Sequence, residues 1–566
     1  MLHATAHTHS PLSFTQRPWH TPLQPTPLAH VLHTAMQSLN LHTEAEQSVY
    51  LAPSLQQLPN PSLMAHMDHA AQLLAQAVVQ KRPIVVYGDY DVDGVCSTAW
   101  MVECLKNLQA NVSFYIPDRR AEGYGLNAEA IATLARTYAL IVTVDCGIGS
   151  HHEVALAREA GADVIVVDHH QVPPTLPNAN ACLNPHRPDC GFPYKPLCAA
   201  GVAFMLTVAV RRCLREQGFF NHLPEPDLRT GLDLVALATV ADMVPLTSLN
   251  RVFVHQGLQR MRLNKRPGLN ALMQVAGVQA EKINAQDIGF RIAPRINARG
   301  RLEQASMAVD LLLSHTPEDT HAWAHTLDTN NTSRRTLETH TTAEAIAHIE
   351  ANALHHHAAL VVANPSWHAG VLGLVANALV KRFNLPTLVV GESGKGSGRS
   401  VEGLHLLEAL HPCAPLLIRY GGHKAALGLT VDFNNIEALR TQLSQQVLAL
   451  VGPGPYITPL HASLHVPIEN LSWPLLHTLQ RLEPFGQGNP QPLLFTPNVT
   501  LKHARLVGEK HLKLTCAPNI DAIAFGMAHL LPSLPTRVDM LHHLESNSFA
   551  GKETLQMRVV DIRPAP

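Results

Sequence analysis

Between residues 84 and 167 the chain alternates short, wholly apolar runs with longer stretches whose apolar residues recur every three or four positions. The runs Ile84–Tyr87, Val112–Ile116, Leu140–Val144 and Val164–Val167 predict strands. The stretches between them, Val95–Leu108, Ala128–Thr137 and His152–Ala160, predict amphipathic helices. Strands that are apolar on both faces need helices on both sides, so the pattern predicts an α/β domain with a doubly wound parallel sheet.

Elsewhere the rhythm changes. Residues up to about Leu41 are rich in His, Thr and Pro and lack sustained periodicity, which predicts a flexible extension. A helical pattern begins near Asn60-Pro61, and helices are predicted again over Ala200–Gly218 and Asp233–Val240 and on through the 270s to the 350s. A second, smaller α/β block opens at Ala359–Val362, and Val451–Pro455 reads as a linker. The last hundred or so residues hold short strand-like segments such as Leu512–Thr515 and Leu555–Val560, as in a small β-barrel. The expected partition is an extension over 1–44, a first α/β domain over 45–270, a helical connector over 271–350, the second α/β domain over 351–452 and the barrel over 453–566.

Composition narrows the setting. A chain of 566 residues is too long for one core. No run approaches the roughly 20 apolar residues of a membrane span, and no basic segment followed by an apolar run opens the sequence. Nine cysteines without a CxxC pair read as core residues in a reducing, cytoplasmic compartment. The net charge of -2 argues neither for nor against nucleic acid, since one basic groove suffices to bind it. The 36 histidines are mostly compositional habit, so only position can single one out.

Position does so at the strand ends. Gly88-Asp89-Tyr90-Asp91-Val92-Asp93-Gly94 follows the first strand, Asp145-Cys146-Gly147 the third, and Asp168-His169-His170 the fourth. Ligands of open parallel sheets bind beyond the carboxyl ends of the strands, so these segments converge. Such a group of carboxylates repels itself unless cations are bound, and mixed carboxylate and imidazole donors suit Mn²⁺ or Mg²⁺. Each piece has a plainer reading. A lone Asp after a strand is often a helix N-cap. Asp-X-Asp-X-Asp-Gly is also shared with calcium loops, but their twelfth-position Glu is Trp100 here. The coincidence of all three segments favours a metal centre.

The three segments resemble the signature motifs of the DHH phosphoesterase superfamily, and Leu237–Pro245 is similar to a fourth, which supplies Asp242. Glu122–Leu126, Arg295–Arg301, Trp367–Gly370, Gly396–Ser400, Gly421–His423, Glu483–Pro490 and Asn547–Asp561 further resemble its single-strand-specific 5′→3′ DNA exonucleases. The likeness covers about residues 45 to 566. It implies a DHH catalytic domain, a DHH-associated domain for the second α/β block, and an OB-like barrel that binds nucleic acid.

The resemblance also implies roles. Asp91 and Asp93 bind different ions, Asp145 bridges the two, and His169 and Asp242 complete one coordination sphere. Asp168 is a ligand or a carboxylate that orients His169, His170 touches the scissile phosphate or protonates the leaving oxygen, and Asp89 is a ligand or an orienter. Some relatives carry a further histidine ligand where this chain has Tyr87, which implies that one ion is weakly held. Arg301, Arg399, Ser400, Gly421, Gly422 and His423 are the implied phosphate contacts, and Phe485, Phe495, Phe525 and Lys513 the barrel's candidates for holding bases.

The implied activity is hydrolysis of single-stranded DNA in repair and recombination, by a two-metal-activated water. A helicase and a single-strand-binding protein fit as partners of a monomer with no membrane attachment. Two alternatives stand beside this reading: a phosphodiesterase for short oligonucleotides or cyclic dinucleotides, and a degenerate replication scaffold. The terminal barrel argues against the first, and the intact set of aspartates and histidines against the second.

Overall fold

The computed structural model describes residues 13–118, 122, 125–302, 306–518, 520–549 and 551–566, the side chains of 299–302 and 549 excepted. Two compact units result: residues 52–339 with 484–490, and the N-terminal residues to 51 with 340–483 and 491–566.

The first unit is built on the predicted sheet. Strands β1 (Ile84–Gly88), β2 (Val112–Tyr115), β3 (Leu140–Val144) and β4 (Asp163–Val167) are joined by a three-residue strand β5 (Ala181–Leu183) that the sequence pattern missed. All pair in parallel in the order β2-β1-β3-β4-β5. The helices are α1 (Val92–Asn107), α2 (Ala128–Thr137), α3 (His151–Glu159), α4 (Ala199–Glu216) and α5 (Leu232–Ala241). Alternation along the strands sends Val86, Val142 and Ile165 into a core with α1 and α4, and Val85, Ile141 and Val164 into one with α2 and α3. The sheet is therefore doubly wound. The strand order reverses between β1 and β3, which opens a crevice beyond their carboxyl ends.

Around this sheet the helices are tied by one buried cation. Arg266 donates from Nε to Asp233 Oδ2 at 2.8 Å, from Nη1 to Glu103 Oε2 at 2.5 Å and to the Leu312 carbonyl at 3.1 Å. It joins α1, α5 and the helix Pro267–Val275, whose N-cap it is. A buried guanidinium is stable here because both carboxylates and the carbonyl saturate its donors.

The second unit contains two sheets of its own. In one, Leu360–Ala363 and Thr387–Val390 are parallel, while Lys395–Arg399, Ala426–Val431 and Leu417–Gly422 add antiparallel strands. In the other, the long strand Leu494–Val507 pairs with both His511–Cys516 and Arg537–Phe549, and Ile520–Ala524 and Lys552–Pro564 complete the circuit, which closes it as a barrel.

The flexible extension expected up to residue 44 does not hold for its described part. Trp19–His20 pairs with Leu460–His461 as a parallel ladder. Trp19 Nε1 and the Thr15 hydroxyl both donate to Asp561 Oδ2, at 2.8 and 2.6 Å. The Arg563 guanidinium lies 4.5 Å over the Trp19 ring. A buried carboxylate on the barrel and one aromatic anchor fix this segment, although its composition is that of a loop.

Candidate metal centre

The site begins at the end of β1, where the chain must turn tightly into α1. Asp91 is the N-cap of α1, and its Oδ1 accepts from the N–H groups of Asp93 and Gly94 at 2.9 and 3.1 Å. Gly94 is required, because a Cβ there would lie 2.3 Å from the Asp89 carbonyl oxygen. The N-cap reading of this motif is thus correct, and Asp91 still offers an oxygen to the cluster.

Asp93, two residues along, points into the N-terminus of α4. Its Oδ2 and Oδ1 accept from the Ala199 and Ala200 N–H groups at 2.6 and 2.8 Å. Those unpaired helix donors and their partial positive charge partly offset the carboxylate. At the end of β3, Asp145 adopts a left-handed φ of 64°, a strained conformation for a residue with a side chain. Its backbone N–H is held by the Val167 carbonyl at 3.0 Å. Cys146, next in the chain, is buried away from the cluster, as alternation predicts.

Three groups of donors result, and in each the ligand atoms lie within 4.8 Å of one another: Asp89, Asp91 and Asp145; Asp93, His169 and Asp242; and Asp145, His169 and His170. Asp145 and His169 each belong to two of them. His169 Nε2 is 3.2 Å from Asp145 Oδ1 and 3.7 Å from both Asp93 Oδ2 and Asp242 Oδ2. Asp145 Oδ1, His169 Nε2 and Asp242 Oδ2 are buried without a hydrogen-bond partner among the described residues.

Burial, then the charges of Asp93, Asp91, Asp89 and Asp242, push the Asp145 carboxyl well above its ordinary range. Burial and the charges of Asp93 and Asp91 push Asp242 up to about 8. Burial lowers His169, so its imidazole is neutral and suited to ligation. Lone pairs facing lone pairs in a buried site are stable only around cations. Hard divalent cations that take oxygen and imidazole donors, such as Mn²⁺ or Mg²⁺, fit this donor set.

Asp168 belongs to none of the three groups. Its Oδ1 accepts from the His169 and His170 N–H groups and from His170 Nδ1, at 2.7, 3.1 and 2.7 Å, and its Oδ2 from the Ile148 N–H at 2.9 Å. Its side chain orients the ring of His170 rather than that of His169, the histidine the resemblance implies. Burial pulls the His170 pKa down, but the Asp168 hydrogen bond and charge outweigh it and push it up to about 9. Tyr87, where some relatives have a ligand, turns its hydroxyl the other way, donating to the Gly125 carbonyl at 3.3 Å and accepting from the Asn127 N–H at 3.2 Å.

Several contributors escaped sequence reasoning. Asn297 Oδ1 accepts from the Val92 N–H at 3.2 Å, so a residue of the Arg295–Arg301 motif braces the first turn of α1. Asn184 holds the His170 carbonyl at 2.9 Å and the His186 N–H at 2.8 Å. The motif stretch gave a signal for Asn297; nothing local distinguished Asn184 or the start of α4.

The candidate phosphate contacts fall in the other unit, apart from Arg301. Arg399 ends one strand with Ser400 just after it, and Gly421–His423 lie on the hairpin two strands away, bridged by Ala426 opposite Arg399 and Leu427 opposite Gly422. Among the described residues no carboxylate pairs with the largely buried Arg399, which donates to Ser397 Oγ at 3.1 Å and the Gly398 carbonyl at 2.8 Å. The Ser400 hydroxyl is spent on the Leu404 carbonyl at 2.9 Å. Arg301 lies in the helix Ala293–Leu302, with its side chain outside the described residues.

Of the barrel candidates, Phe495 is 7% exposed and packs edge-on to Trp19, so it is core and cannot receive a base. Lys513 is paired with Asp521 at 2.8 Å. Phe485 is half-buried and belongs to the first unit, while Phe525 is exposed.

Comparison with known proteins agrees with this layout. Residues 83–239 match the DHH family N-terminal domain, residues 356–449 the DHHA1 domain and residues 463–561 the RecJ OB domain. The single-stranded-DNA-specific exonuclease RecJ of Dickeya dadantii is 37% identical over 96% of this chain and 98% of its own length. The chain belongs to the RecJ family. RecJ of Bacillus subtilis is 36% identical over 89% of the chain, and this RecJ-family chain spans 64% of that longer protein. The crystal structure of Thermus thermophilus RecJ with Mn²⁺ is similar at a TM-score of 0.80 and 32% identity, covering 97% of this chain and 80% of that one. Its Mg²⁺ complex is similar at a TM-score of 0.75.

Proposed function

We propose that this chain is a 5′→3′ exonuclease that hydrolyses single-stranded DNA with Mn²⁺ or Mg²⁺, in DNA repair and recombination. The observation that carries the reading is the junction of donor groups at Asp145, at the switch point of a RecJ-family sheet. Asp89, Asp91 and Asp145 would hold one ion, and Asp93, His169 and Asp242 the other, with Asp145 within reach of both. When bound, such a pair supplies charge neutralisation and water activation for attack on an anionic diester.

The protein's own groups do the rest. Asp168 keeps His170 protonated at neutral pH and fixes its ring, so the imidazolium faces the cluster as a phosphate contact or a proton donor to the leaving oxygen. The start of α4 fixes Asp93 through two N–H groups, so that it need not reorganise. Arg399 and the Gly421-Gly422-His423 hairpin, together with Arg301, are the phosphate-binding groups of this reading. Action as a cytoplasmic monomer beside a helicase and a single-strand-binding protein belongs to the same proposal.

An end-labelled single strand, tested with the label at each end in Mn²⁺, Mg²⁺ and EDTA, checks it. Release from the 5′ end alone, abolished by EDTA, is expected. Equal release from both ends, or cleavage that persists in EDTA, rules it out.

A further inference from the structure

Asp242 differs from the neighbouring carboxylates in how it is held. Asp91 and Asp93 are each fixed by two backbone N–H groups. Asp242 Oδ2 is buried without a hydrogen-bond partner among the described residues, so its place is set by the backbone that carries it. That backbone is the turn between α5 and the helix Ser248–Arg262. Met243 and Ser248, at its two ends, both adopt a left-handed φ, of 58° and 43°. Residues with a side chain disfavour that region, and it persists only where the surroundings hold it.

Part of that hold is local. The Tyr194 hydroxyl and Asn250 Nδ2 donate to the Pro245 carbonyl at 3.1 and 3.0 Å. The rest comes from the stretch Glu483–Pro490, one of the family-like motifs. Its residues 484–490 fold with the first unit, although the chain on either side belongs to the second. The Leu246 N–H donates to the Gln487 carbonyl at 2.7 Å. A Cβ on Gly486 would lie 2.6 Å from Leu246 Cδ1, and one on Gly488 2.9 Å from Pro245 Cβ, so both glycines sit closer to the turn than a side chain permits. Gly486 and Asn489 exchange backbone hydrogen bonds of 2.9 and 3.1 Å around Gln487 and the left-handed Gly488. Asn489 is buried, and its Nδ2 donates to the Pro484 carbonyl at 2.7 Å. The stretch is a tight turn with its own internal bonds, seated against the turn that carries Asp242.

We propose that residues 484–490 are a positioning clamp for Asp242, which sets the affinity of the ion shared by Asp93, His169 and Asp242. The proposal rests on the two-ion reading of the centre and deepens it. A carboxylate without a hydrogen bond of its own binds an ion tightly only when its support keeps it in place, because reorganisation subtracts from the binding energy. Gln487 acts through its carbonyl while its side chain is exposed, so the identity of that side chain is free. Gly486, Gly488 and Asn489 are the positions on which the clamp depends.

Titration of the full chain with Mn²⁺ in a calorimeter is the test. Gly488→Ala should weaken one of the two binding steps about tenfold or more, the scale of removing the support behind a metal ligand. The other step should stay near wild type, because Asp89, Asp91 and Asp145 lie on other segments. Cleavage of a single strand should need correspondingly more Mn²⁺ for half its maximal rate, with kcat recovered at saturation. Gln487→Ala should change neither step. Asn489→Ala, which frees the Pro484 carbonyl without adding an atom, should act in the same sense as Gly488→Ala, and decides the case if that variant does not fold. Gly161→Ala places comparable left-handed strain, at φ 87°, where a Cβ meets no neighbour within 4 Å. It should lower the unfolding temperature and leave both steps unchanged. Wild-type Mn²⁺ binding in Gly488→Ala and Asn489→Ala, or equal weakening in Gly161→Ala, overturns the clamp alone, provided that Asp242→Asn still weakens binding. Mn²⁺ binding unmoved by Asp242→Asn overturns the two-ion reading and the clamp together.

Discussion

Replacing Asp145 by Asn should make the metal-free protein more stable while removing its response to metal. The exchange is close to isosteric, and Asn tolerates the left-handed backbone at φ 64° better than most residues. What it removes is one negative charge from a buried group whose donor atoms lie within 4.8 Å of one another. At that separation and an effective dielectric of about 20, one like-charge pair costs about 3 kcal/mol. Partial protonation lowers the realised gain to ~1–3 kcal/mol. The sign with pH follows from the raised carboxyls. Burial and the charges of Asp93 and Asp91 push Asp242 up to about 8 in the fold, against 3.8 for an ordinary Asp carboxyl. Stability from its protonated form is therefore fully present below about 4 and lost as pH rises towards 8. The advantage of Asp145→Asn in EDTA should accordingly be larger at pH 8 than at pH 6. Thermal unfolding with EDTA and with excess Mn²⁺ reads both effects. Wild type should gain stability from Mn²⁺, and the variant should start higher and gain little. A variant less stable than wild type in EDTA, or one stabilised by Mn²⁺ as strongly, would refute the electrostatic argument.

Other consequences are equally open to measurement. Asp168→Asn should lower kcat by about 100-fold or more through loss of the His170 proton and ring orientation, with Mn²⁺ binding by titration calorimetry retained; loss of metal binding instead would make Asp168 a ligand. Arg266→Met strands Asp233 and Glu103 in the interior and should cost about 3–5 kcal/mol in urea unfolding of the first unit; a cost under about 1 kcal/mol contradicts the hub. His542 is buried and neutral, its Nε2 2.8 Å from the Thr496 hydroxyl, and burial lowers its pKa to about 3. The unfolded state then binds more protons below about 6.5, so the second unit should lose up to about 1.4 kcal/mol per pH unit on acidification from that point. His542→Gln should flatten that slope, and an unchanged slope would exclude this residue as its source.

The catalytic sheet was legible because its strands are saturated with Val and Ile and its helices keep their period. The sequence pattern found β1 to β4 but not Ala181–Leu183, which is too short to carry a pattern and exists because β4 offers an edge. The carboxylates were legible for a topological reason, since strand ends in an open parallel sheet must converge. What they touch was not. The Ala199 and Ala200 N–H groups and Asn184 act across long stretches of chain without a local signature, and Asn297 is marked only by its place in the Arg295–Arg301 stretch. The N-terminal segment failed for the same reason, because Thr15 and Trp19 are ordered by Asp561 at the far end of the sequence. Phe495 failed in the opposite sense: an aromatic in a barrel strand can face the core or the solvent, and register alone decides which.

The most direct test of the metal centre is an anomalous difference map at the manganese edge from crystals grown with Mn²⁺. The account predicts two peaks, one among Asp89, Asp91 and Asp145 and one among Asp93, His169 and Asp242, with Asp145 in reach of both. A map with no peak at these residues, or with Mn²⁺ bound only elsewhere, would contradict it.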